Sequence, residues 1–75
     1  MRYFKATITY ELNSGNQGAP QLEQILYCCS LTDFPKSEQL RELFYSLDGR
    51  DKKYINATWK QVREDDILTD EVHLI

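Results

Sequence analysis

The chain has 75 residues, 41% of them hydrophobic and 28% charged, with a net charge of −3. That balance is ordinary for a globular protein and argues against disorder, and no apolar run approaches the ~18 residues of a membrane-spanning helix. The length predicts a single small α+β domain over residues 1–75, and the lack of a signal-peptide apolar stretch leads us to expect a cytoplasmic protein.

Arg2–Leu12 alternates with period two. Phe4, Ala6, Ile8, Tyr10 and Leu12 share one face, and Tyr3, Lys5, Thr7, Thr9 and Glu11 share the other. Aromatic and β-branched residues in that pattern predict a half-buried strand whose second face meets solvent or a partner. Asn13–Pro20 carries two glycines and a proline and reads as a polar hairpin connection. Its glycines are not followed by a Lys-Ser/Thr helix start, so it lacks the logic of a phosphate loop.

Gln21–Leu31 predicts a second strand, apolar on both sides. Ile25, Tyr27, Cys29 and Leu31 fall on one, and Leu22, Leu26 and Cys28 on the other. Such a strand is central, or its outer face is covered. An exposed Leu22–Leu26 pair would seed an apolar patch, unless twist or a bulge reassigns the faces.

Thr32–Pro35 turns the chain into Lys36–Gly49, where Leu40, Leu43, Phe44 and Leu47 fall at i, i+3, i+4 and i+7. That spacing is one apolar stripe of a helix. Asp33 or Ser37 is placed to cap its start, and Asp48-Gly49 to close it, since glycine reaches the left-handed conformation without a Cβ clash. A charged connection, Arg50–Lys53, leads to a third strand over Tyr54–Val62. Ile55, Ala57 and Trp59 lie on one side of it, and Tyr54, Asn56, Thr58 and Lys60 on the other. After an acidic turn at Arg63–Asp66, Val72–Ile75 reads as a short apolar edge strand.

The expected fold is a two-layer α+β sandwich in ββαβ(β) order, a mostly antiparallel sheet with one helix packed across one face. This order resembles the β-grasp arrangement of ubiquitin-like and immunoglobulin-binding bacterial domains, and a ferredoxin-like half is the competing topology. The resemblance implies a fold and no modifier role, because Leu74-Ile75 stand where a conjugated modifier needs paired glycines.

Little in the sequence points to catalysis. Cys28 and Cys29 are adjacent, so on a strand they point to opposite faces and do not pair readily, and one is expected in the core. With the single histidine, His73, they fall short of a four-ligand zinc site. The acids near the end lack the spacing of a calcium loop. We expect no enzyme activity, no metal and no cofactor.

The charge distribution is more informative. From Val62 onward five acids face one arginine, a net of −4, while the first 61 residues carry +1. This predicts a protein-binding module, an adaptor or an inhibitor, that uses Tyr3, Tyr54, Asp65, Asp66, Asp70 and Glu71 against a basic surface, such as that of a nucleic-acid-handling protein. Tyr10, Tyr27 and Trp59 are expected to fill the core. The alternative is single-stranded nucleic-acid binding on a sheet face by Tyr3, Lys5, Tyr54 and Lys60, rimmed by Arg50, Lys52 and Lys53. The net negative charge argues against that reading. No membrane partner is expected, and Val72–Ile75 offers an edge for a homodimer.

Overall fold

The computed structural model describes residues 1–12, 20–48 and 51–75. In chain order these form β1 (Arg2–Leu12), β2 (Leu22–Ser30), α1 (Ser37–Asp48), β3 (Lys52–Val62), a short 3-10 turn (Glu64–Asp66) and β4 (Val72–Leu74). The four strands make one sheet in the order β3-β1-β2-β4. β1 is central and antiparallel to both β2 and β3, whereas β4 pairs parallel to β2. β2 and β3 therefore run in the same direction on either side of β1, and α1 carries the chain between them. That is a split β–α–β crossover, the ferredoxin-like of the two topologies expected.

The period-two pattern of β1 decides which face the helix covers. Phe4, Ala6 and Ile8 are fully buried on the helix side, while Tyr3, Lys5, Thr7 and Thr9 stay half-buried on the other. Leu26 and Cys28 of β2 join Ala6 and Ile8 beneath Leu40 and Phe44 of the helix, with Tyr10, Leu43, Tyr54, Ala57 and Ile75 around them. The apolar stripe of the helix is narrower than its spacing suggests, because Leu47, in the last turn, remains 44% exposed.

Several local expectations need correction. Neither Asp33 nor Ser37 caps the helix. The Gln39 side chain reaches back to accept the Lys36 backbone N–H at 2.9 Å, one half of a capping box. Asp33 instead accepts the N–H of Phe34, and the buried Ser30 hydroxyl accepts those of Thr32 and Asp33, tightening the turn that precedes the helix. Gly49, Arg50 and the connection over residues 13–19 lie outside the described residues. A left-handed backbone is found at Asp51, with φ of 62°. Aspartate tolerates this conformation through local hydrogen bonding.

The Leu22–Leu26 patch does not form. Leu26 is buried and Leu22 half-buried on the helix side, so the apolar residue exposed on the outer face of β2 is Ile25, at 51%. Tyr27 lies on that outer face rather than in the core, as its pairing with Lys5 requires. Both cysteines are buried and unpaired. Burial pushes the Cys28 thiol up to about 11, with a smaller push from Cys29.

Candidate functional site

A bulge in β3 sorts the side chains expected to act together. Thr9 pairs with Asn56 and Tyr10 with Tyr54, so Ile55 is an extra residue on β3. One inserted residue reverses the facing of everything before it. Tyr54 consequently points to the helix side, where its ring lies 6.2 Å from that of Phe44 and its backbone N–H donates to the Tyr45 hydroxyl at 3.0 Å. Burial pushes its phenol up, partly opposed by Arg41. Lys52 is on the same side, with its ammonium 5.1 Å from the ring centre of Tyr10. Neither residue can share a surface with Tyr3, which corrects both expected binding sets.

Tyr3, Lys5, Lys53 and Lys60 do lie together on the open face, away from the helix. The register across β1 and β3 gives rungs of Tyr3 with Val62, Lys5 with Lys60, Thr7 with Thr58, and Glu11 with Lys53. On the β2 side of the same face, Cys29 stands next to Tyr3 and Tyr27 next to Lys5.

The acidic segment closes one end of this face. Its 3-10 turn is fixed by the backbone bonds from Asp66 to Arg63 and from Ile67 to Glu64. The Asp66 carboxylate also accepts the Arg63 N–H at 3.2 Å, so it serves the turn as well as adding charge. Glu64, Ile67 and Thr69 then line a cleft of ≈410 Å³ with Met1, Tyr3, Cys29 and Val72. Partial desolvation, with the Glu64 carboxylate second, pushes the Tyr3 phenol up. Of the residues expected to bind a partner, Asp65 and Asp66 lie in the turn that follows Val62, the residue across from Tyr3, whereas Glu71 stands beside Ile25 and Tyr27 of β2, and all four acids are exposed.

Sequence reasoning passed over two features. Leu68, in the middle of the acidic connection, is 94% exposed. Its only sequence signal is a leucine set among acids, without the periodicity of a buried element. The second is an aromatic stack on the helix side, beyond the reach of the helix. Trp59 lies on Phe34 with ring centres 5.4 Å apart at 16°, and both pack edge-on to Phe4. The Arg2 guanidinium covers Phe34 at 4.7 Å. Trp59 is therefore only partly a core residue, being 39% exposed.

Among the described residues no three His, Cys, Asp or Glu side chains gather in a way that would hold a metal ion. Among the described residues no helix is long and apolar enough to cross a membrane. Comparison of the chain with protein-family models, curated proteins and solved structures finds no match.

Proposed function

We propose that the protein is a small non-enzymatic module of the cytoplasm that binds another protein through the connection from Arg63 to Glu71, as an adaptor or an inhibitor. The observation that carries this reading is Leu68, 94% exposed on a segment bearing Glu64, Asp65, Asp66, Asp70 and Glu71. Burying a leucine side chain contributes about 1.5–3 kcal/mol. A leucine held out in water is thus a ready anchor for a recess on a partner. The surrounding carboxylates supply the charged rim, which speeds encounter with a basic surface and disfavours acidic ones. Tyr3 and Ile67, beside the same segment, extend the apolar contact.

The partner that fits has an apolar recess edged by lysine and arginine. Capture of the tagged protein from its own cells tests the reading, with nuclease treatment to remove nucleic-acid bridges. A partner should survive nuclease and dissociate in high salt. It should be lost when Asp65, Asp70 and Glu71 are replaced together by lysine. Capture that ignores this reversal would refute the acidic contact.

A further inference from the structure

The open face of the β1–β3 ladder arranges its charges in two ways. At one end Glu11 stands across from Lys53, opposite signs on neighbouring strands. Toward the other end Lys5 stands directly across from Lys60. Directly opposed residues on antiparallel strands have Cβ atoms roughly 4.5–5.5 Å apart, and like charges in that position repel. Two carboxylates of this face, Glu23 and Glu11, are placed away from the pair. Glu23 stands across from Thr9, four residues along β1 from Lys5, or about 13 Å at the usual rise per residue. Glu11 is farther still, while Glu64 acts on Tyr3, one rung from Lys5, and Glu71 lines a cleft with Ile25 and Tyr27 on the β2 side.

The neighbouring rung pairs Thr7 with Thr58, and these two threonines, the two lysines and Trp59 line a recess of ≈240 Å³. Two ammonium groups and two hydroxyls around one recess form a donor set suited to a compact, multiply charged oxyanion. The cations neutralise its charge and relieve their own repulsion, and charge-assisted hydrogen bonds to oxygen are the stronger kind.

We propose that this recess binds a phosphate group, held between Lys5 and Lys60 with Thr7 and Thr58 as neutral donors. Tyr27 flanks Lys5 in the same row, and Tyr3 lies one rung away. Aromatic rings at such positions stack bases, so the phosphate is either a free one or part of a single-stranded nucleic acid. The site shares no residue with the acidic connection, so either assignment can fail without the other.

Amide chemical shifts of the isotope-labelled full chain provide the test. Sodium pyrophosphate and a short oligothymidylate would be titrated separately, against sodium chloride at matched ionic strength. The expected result is a saturating shift centred on Lys5, Thr7, Thr58 and Lys60, absent with chloride. Saturation by pyrophosphate alone assigns a small phosphate. Saturation by both assigns a strand, and then log affinity should fall with log salt at a slope of about −1.4, the value for two cations on a single strand.

Lys60→Glu is the decisive variant, because it converts the like-charged pair into the arrangement already present at Glu11 and Lys53. It should fold at least as stably as the parent and bind at least about tenfold more weakly, as expected when a cation facing the anion is replaced by a carboxylate. Shifts that match the chloride control, or that persist unchanged in Lys60→Glu, would overturn the proposal.

Discussion

Along β1, Phe4, Ala6 and Ile8 have no exposed surface, while Lys5, Thr7 and Thr9 between them remain half-exposed on the other side. One alternating strand thus serves two purposes. Its helix-covered face supplies the burial that holds a 75-residue chain together. Its open face is closed at one end by the connection that carries Ile67 and Leu68, and keeps polar groups in contact with water. Side chains on the first face are fixed by volume and those on the second by charge, so substitutions on the two should register in different experiments.

The largest effect expected is from Phe44→Ala. Phe44 is 1% exposed and its ring packs against Tyr10, Tyr45 and Tyr54. Its loss should cost about 3–5 kcal/mol in urea unfolding, a large part of the roughly 5–15 kcal/mol that stabilises a typical domain. Thr7→Ala on the open face should move stability by less than about 0.5 kcal/mol. Comparable losses from the two would break the distinction between the faces.

Cys28 sharpens it through pH. Burial raises this thiol from 9.0 to about 11. The unfolded chain therefore gives up the proton first, and ionisation favours unfolding. The contribution of the neutral thiol is complete below about pH 9 and is lost as pH rises toward 11, by on the order of 2–3 kcal/mol. Urea unfolding between pH 8 and 11 measures it, and Cys28→Ala should remove that share while leaving the dependence that the raised Tyr3 and Tyr54 phenols contribute.

A smaller effect is expected where the helix does not reach. Phe34→Ala removes the partner stacked on Trp59 at 5.4 Å. An aromatic pair contributes about 0.5–1.5 kcal/mol beyond area burial. The variant should lose roughly 1 kcal/mol, in line with that range, and its tryptophan emission should shift to the red. Unchanged emission would show that Phe34 does not shield the indole.

Much of this division was legible in the sequence, and the failures have local causes. The alternation of β1 and the spacing of Leu40, Leu43 and Phe44 identify both layers, since each period persists over the whole element. The facing of Tyr54 was not legible, because the single extra residue Ile55 reverses the phase and no glycine or proline marks it. The exposure of Trp59 depends on where the helix stops covering the sheet, a tertiary property. The acidic connection was visible as charge. Leu68 was not, since an exposed apolar residue in a turn has no periodic signature.

Leu68→Ala tests the central claim most directly. Its capture of a partner from cell extract would be quantified alongside its urea midpoint. Binding through the connection predicts that capture falls while the midpoint stays within the equivalent of about 0.5 kcal/mol of the parent. Undiminished capture would contradict the claim. So would capture and midpoint falling together, since Leu68 would then serve the fold rather than a partner.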